Sequence, residues 1–187
     1  IWEENGLLQD IFPYQFNNSY TRCFPTDNSM IFMECAGQFL LSPIKEPESY
    51  LPTYAELPDT LKIKVMQYLF TIDNQTVFWL ALDQTVFLSI GWKACPITIS
   101  IKGAPVWMPL AVTTAAQLVR WYQNHIFCGR CGRKLIHSTT ERAMECPSCR
   151  IIEYPKIAPV VIVAVVHEGK LLMIHYAYTN IKPHVLI

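Results

Sequence analysis

Apolar residues from Met30 to Leu41 (MIFMECAGQFLL) fall into two runs around Ala36-Gly37-Gln38, which predicts a hairpin whose turn uses the positive φ open to Gly37. Ser42–Pro58 holds prolines at 43, 47, 52 and 58 and reads as a connection, since proline cannot donate to a ladder. Lys62–Phe70 alternates in its first half, Thr76–Leu82 and Thr85–Ile90 are rich in β-branched and aromatic residues, and Ile97–Ile101 alternates strictly. These four segments are expected to be strands, and residues 30–110 a mainly antiparallel sheet.

The period then changes. Ala115, Leu118, Val119 and Tyr122 fall at i, i+3, i+4 and i+7, with Thr113 or Thr114 able to cap, so one amphipathic helix is expected to end near Asn124 or His125. Trp121, Tyr122 and Phe127 form an aromatic stripe that reads as core or interface, with a base-stacking platform as the alternative. Further on, Tyr154–Pro159 is an extended linker. VVIVAVV, a His167-Glu168-Gly169-Lys170 turn and LLMI then predict a second hairpin. A seven-residue aliphatic run suits a strand covered on both faces, so the hairpin is expected to be covered by another chain or further residues, or to be poorly ordered.

Composition fits a globular chain: 51% hydrophobic, 16% charged, with only 7 Gly and 13 Pro in 187 residues. The run Val160–Val166 is far short of the ~20 apolar residues of a membrane span. The chain opens Ile-Trp-Glu-Glu, without Met and without a signal-like basic and apolar start, and a cytoplasmic location is expected. Charge sums to zero but is graded, with 2 basic and 9 acidic residues in 1–60, 5 and 2 in 61–127, and 8 and 4 in 128–187. No segment is polybasic, so the charges read first as solvated surface.

Chemistry concentrates in the cysteines. Cys23, Cys35 and Cys95 are scattered and read as reduced, buried, small hydrophobes, whereas Cys128, Cys131, Cys146 and Cys149 make two C-x-x-C pairs 14 residues apart. Four thiolates fill a tetrahedron and leave no open position, so the expected ion is a structural Zn2+, with iron or redox-active cysteines as alternatives. His125 and His137 flank the pair and read as surface or supporting imidazoles. Residues 128–150 carry five basic side chains against Glu141 and Glu145, and a four-thiolate zinc adds −2, leaving a module near +1 with little phosphate-driven affinity.

With these motifs in order, the chain resembles the NADH pyrophosphatase branch of the Nudix hydrolases. The resemblance rests on Leu118-Val119-Arg120-Trp121-Tyr122 running into Phe127-Cys128-Gly129-Arg130-Cys131-Gly132, on the 14-residue separation, and on Tyr154-Pro155-Lys156-Ile157-Ala158-Pro159 opening an apolar strand. Leu51-Pro52 and Glu56-Leu57 are similar to a short motif of the family's N-terminal part. The implied architecture is α+β: a β-rich N-terminal domain over 1–112, a connecting helix over 113–127, a four-cysteine zinc ribbon over 128–153, and over 154–187 the first strands of a mixed α/β Nudix domain.

The resemblance implies hydrolysis of the pyrophosphate bond of NADH or NAD+ to nicotinamide mononucleotide and AMP, and removal of NAD caps from RNA. It also implies catalytic Mg2+ or Mn2+ and a homodimer. The carboxylates that hold those ions form the family's Nudix box, which these 187 residues do not contain. They are expected beyond Ile187, and the segment given is expected to be inactive alone. Two substrate-binding residues carry over singly: Glu141, in the middle of the ribbon, and Tyr154, just before the Pro-x-x-x-Pro pattern. A lysine that some relatives place after the Leu-Pro is Thr53 here. The competing reading is a non-catalytic zinc-ribbon module that binds nucleic acid or a protein partner.

Overall fold

A computed structural model of the chain describes residues 10–42, 51–97, 104–157, 159, 161 and 163–173. The chain divides into two compact units, residues 1–155 and 156–187. Mixed sheets, few helices and a four-cysteine cluster make it α+β. Among the described residues no helix is long and apolar enough to cross a membrane.

The first unit is built on a six-stranded sheet in the order β1-β4-β5-β2-β3-β6. Its strands are β1 (Phe16–Asn17), β2 (Met30–Cys35), β3 (Gln38–Leu40), β4 (Gln67–Ile72), β5 (Gln75–Ala81) and β6 (Ala94–Pro96). Neighbours run antiparallel except β2 and β5, which are parallel. The β2–β3 hairpin turns at Ala36 and Gly37 with φ of 50° and 78°, and Glu34 accepts from the Gly37 amide at 2.9 Å. This is the hairpin the sequence predicts.

β2 is the central strand. Both faces are buried because successive residues alternate between two cores: Met30 and Phe32 join one cluster, Ile31 and Met33 the other. The first core is closed by the long helix α3 (Met108–Asn124), through Met108, Ala111, Val112, Ala115, Leu118, Val119 and Tyr122. The second is closed by Leu57, by Leu61 of the short helix α1 (Asp59–Lys62), and by Phe87 of α2 (Gln84–Ser89).

Three expectations change and one gains detail. Thr85–Ile90 is within a helix and its C-cap, not a strand: Asp83 accepts from the Val86 amide at 2.9 Å, and the spacing of Val86, Phe87 and Ile90 turns one helical face inward. A good cap and tertiary burial outweigh β-branched propensity there. The strand placed at Lys62 begins at Gln67, since α1 occupies Asp59–Lys62 and Ile63 and Val65 are exposed. α3 starts five residues before Thr113, with Trp107 as N-cap and Pro109 in the first turn, where its missing N–H costs nothing. Within the Ser42–Pro58 connection a 3-10 turn, Tyr54–Glu56, is fixed by Glu56, which accepts from the Thr53 amide and the Ser42 hydroxyl. The expected strand Ile97–Ile101 lies, apart from Ile97, outside the described residues.

In the second unit, β10 (Val166–His167) pairs with β11 (Lys170–Leu171) around Glu168 and Gly169, both at positive φ. The expected turn is present, but the pairing is short, and Val161, Val163, Val165, Val166, Leu171 and Leu172 are exposed.

Candidate metal centre

α3 ends at Asn124, and His125 Nδ1 donates to the Trp121 carbonyl at 2.8 Å, so this imidazole finishes the helix and ligates nothing. The chain then enters a three-stranded ribbon of β7 (Ile136–His137), β8 (Met144–Glu145) and β9 (Ile152–Glu153). Two loops of the same design hold the cysteines. In one, the Cys128 amide donates to Arg133 O at 2.7 Å and the Gly132 amide to Cys128 O at 2.8 Å. In the other, the Cys146 amide donates to Ile151 O and the Arg150 amide to Cys146 O, both at 2.9 Å. Each loop needs positive φ just after its second cysteine, supplied by Gly132 at 71° and by Arg150 at 57°. The glycine of the first loop therefore has an arginine as its counterpart, a conformation that costs a side-chain-bearing residue about 1–2 kcal/mol.

The four sulfurs lie within 4.8 Å of one another. Cys128–Cys149, Cys131–Cys146 and Cys146–Cys149 are 3.8, 3.5 and 3.6 Å apart. A tetrahedral ion with sulfurs at ~2.3 Å requires sulfur–sulfur edges of about 3.8 Å, so the donor set has the size zinc demands. The Cys149 amide, 3.3 Å from Cys146 Sγ, leads in lowering that thiol to about 6. Cys149 is pushed up to about 12, first by its hydrogen bond with Cys131. A dication among these sulfurs replaces their shared protons and fixes all four as thiolates. Cys128 and Cys146 are buried, Cys149 half-buried and Cys131 exposed.

The ribbon also joins the two residues singled out near it. Tyr154 Oη donates to Glu141 Oε1 at 3.0 Å. This bond is the first cause of a raised Tyr154 pKa, because the carboxylate stabilises the protonated phenol.

The family profile described as "NADH pyrophosphatase zinc ribbon domain" matches residues 123–154, which include all four cysteines, Glu141 and Tyr154. Over those residues the chain is similar to the zinc ribbon of NADH pyrophosphatases. Proteins named NAD-capped RNA hydrolase NudC from Salmonella paratyphi B, Salmonella newport and Salmonella heidelberg are each 47% identical to it over 57 residues. That stretch covers 30% of this chain and 22% of each relative, so the chain is matched over about a fifth of the relatives' length.

The ribbon is fastened to the sheet by a residue whose role the sequence does not reveal. Arg142 is one of the five basic side chains of residues 128–150, yet it is only 9% exposed. Nη2 donates to the Leu69 carbonyl and Nη1 to Asn18 Oδ1. Leu69 sits where the β4–β5 register shifts, and the guanidinium takes up its carbonyl. Nε has no partner, and burial lowers the Arg142 pKa. Nothing in the local sequence distinguishes Arg142 from Arg130 or Arg133, because its burial depends on a contact with β4, 73 residues away.

His137 is likewise held away from the metal. Nδ1 donates to Ser138 O at 2.6 Å, Nε2 pairs with Tyr122 Oη at 3.1 Å, and its ring lies 5.5 Å from both Tyr20 and Tyr122. Burial raises Tyr122 above the usual phenol range, with Arg142 opposing it. The aromatic stripe divides: Trp121 and Tyr122 are core, so they offer no stacking platform, whereas Phe127 is exposed. Of the three scattered cysteines Cys95 is buried, but Cys23 and Cys35 are only half-buried, because each sits at the rim of the second core.

Proposed function

We propose that the protein containing this chain hydrolyses the pyrophosphate bond of NADH or NAD+, releasing nicotinamide mononucleotide and AMP, and acts likewise on NAD-capped RNA. The observation that carries this reading is the Glu141–Tyr154 pair, 3.0 Å apart on a ribbon of the pyrophosphatase branch. The four-cysteine centre has no open position and supplies no Lewis acid; its part is to hold the loop that bears Glu141. Glu141 and Tyr154 bind the dinucleotide, Tyr154 offering an aromatic face and a hydroxyl and Glu141 an acceptor for ring amino or ribose hydroxyl groups. Attack of water on phosphorus requires Mg2+ or Mn2+ on a cluster of carboxylates, and these are assigned to the Nudix box beyond Ile187. The reading includes a cytoplasmic homodimer, the assembly state being testable by mass in solution.

The test is product analysis with the full gene product, NADH and Mg2+. Glu141→Gln is expected to lower kcat/KM about tenfold or more, the loss of one hydrogen bond to a charged group, with zinc content unchanged. A full-length protein that leaves NADH and NAD+ intact, or lacks a Glu-rich box after Ile187, overturns the reading.

A further inference from the structure

A cleft with about 250 Å³ of water-accessible space lies where the Tyr20–Phe24 segment, the start of β4 and the ribbon meet. It is lined by Tyr20, Arg22, Phe24 and Tyr68 from the sheet unit and by His137, Ser138 and Thr139 from the ribbon, among others, and no lining residue is acidic. Three features set its chemistry.

The first is a column of stacked rings. Trp79 and Tyr122 stack at 6.0 Å and 15° and Tyr122 and His137 at 5.5 Å and 30°, and Tyr20 packs on His137 at 5.5 Å with a 32° tilt. Tyr20 ends the column and lines the cleft, so a planar ring entering there extends a stack already built. The second is an uncovered apolar wall: Phe24 is 85% exposed and Val65 94%, area that a flat ring could cover. The third is charge. Arg22 stands exposed at the rim, and the buried Arg142, which has no carboxylate partner and a free Nε, adds positive potential behind Tyr20 and Tyr68. A positive, acid-free cleft with open aromatic faces is the chemistry that takes a base and its phosphate.

We infer that this cleft binds one unstacked nucleotide of a single-stranded RNA, its base against Tyr20 and Phe24 and its phosphate at Arg22. The space admits one splayed base and no duplex, and the His137, Ser138 and Thr139 that line it share a loop with Glu141. The inference goes beyond hydrolysis of the dinucleotide itself: it assigns a site for the body of an RNA, and binding of RNA without a cap tests it independently of catalysis.

The experiment is anisotropy of a labelled, uncapped single strand of about ten nucleotides with the zinc-loaded chain, at about 50 and 200 mM salt. Phe24→Ala, at an exposed site, is expected to weaken binding about tenfold, the loss of one stacked base, and Phe24→Tyr to retain it. Arg22→Ala is expected to lower the salt slope by about 0.7, one phosphate contact on a single strand. Leu88→Ala, on α2 and outside the cleft lining, serves as the control. Equal binding by wild type, Phe24→Ala and Arg22→Ala overturns the inference, as does tighter binding of a duplex or of an acidic phosphopeptide. None of these results bears on whether free NADH is cleaved.

Discussion

Replacing Arg142 by lysine tests how the ribbon is joined to the sheet. The guanidinium bridges two acceptors, Leu69 O and Asn18 Oδ1, from a position 9% exposed. A single ammonium on a shorter head cannot span both, so at least the Leu69 carbonyl, on a residue with no exposed surface, loses its partner. One hydrogen bond to a charged group contributes about 1.5–3 kcal/mol, and the more strongly hydrated ammonium is dearer to bury, so Arg142→Lys should destabilise by about 2–3 kcal/mol. For a unit of 155 residues, with about 2–4 °C lost per kcal/mol, the melting temperature should fall about 4–12 °C. The assay is thermal and denaturant unfolding of the zinc-saturated protein, with zinc stoichiometry measured in parallel. Asn18→Ala, at an exposed acceptor, should cost only about 0.5–1.5 kcal/mol and should cost less still in the lysine background, since the bond is already gone. If Arg142→Lys unfolds within about 0.5 kcal/mol of wild type, the buried fork contributes nothing measurable and the reasoning fails.

Removing zinc with a chelator, or Cys146→Ser, should release amide protection across residues 126–153 while β2 and β5 stay protected, since the two sheet cores hold no cysteine ligand; hydrogen exchange reads this. Gly132→Ala meets no atom within 4 Å but must adopt φ of 71°, so it should cost about 1–2 kcal/mol, read as about tenfold weaker zinc in competition. Arg150→Gly relieves the same strain in the other loop and should be neutral or up to about 1 kcal/mol stabilising. Tyr154 titrates above the ordinary phenol, so the stability it lends the ribbon is present below pH ~10 and lost as pH rises through its folded pKa; Glu141→Gln should move the titration back down, visible as tyrosinate absorbance that Tyr154→Phe removes.

What the sequence discloses is what is local. The β2–β3 turn is legible because Gly37 is needed at positive φ, and β5 because its segment is rich in β-branched and aromatic residues. The ligands are legible because a tetrahedral ion dictates cysteine spacing. α2 is misread because a six-residue segment is decided by its Asp83 cap and by Phe87 entering a core that other strands supply. The start of α3 is missed because Thr113 and Thr114 look like caps, whereas Met108, Ala111 and Val112 carry the apolar stripe back another turn and a half. Arg142 and His137 are illegible because their positions are set by partners elsewhere in the chain: Leu69 and Asn18 for the buried Arg142, Tyr20 and Tyr122 for the half-buried His137.

Those two contacts connect the metal site to the Glu141–Tyr154 pair. The ion ties together the two cysteine loops, and β7 and β8 run between them. Their connecting loop starts at His137, inserted between Tyr20 and Tyr122, and closes at Arg142, inserted against β4. Glu141 is the residue before Arg142, so its carboxylate is displayed from a loop held at both ends by the sheet unit and from beneath by zinc. The ribbon's own apolar burial is slight, its buried apolar side chains among the described residues being Leu135, Ala143, Cys128 and Cys146. Loss of either the ion or the Arg142 fork therefore frees the Glu141 end of the loop. Under the proposed function, in which Glu141 contacts the dinucleotide, Arg142→Lys should raise KM with zinc still bound, through position alone, whereas loss of zinc should disturb both ends of the loop.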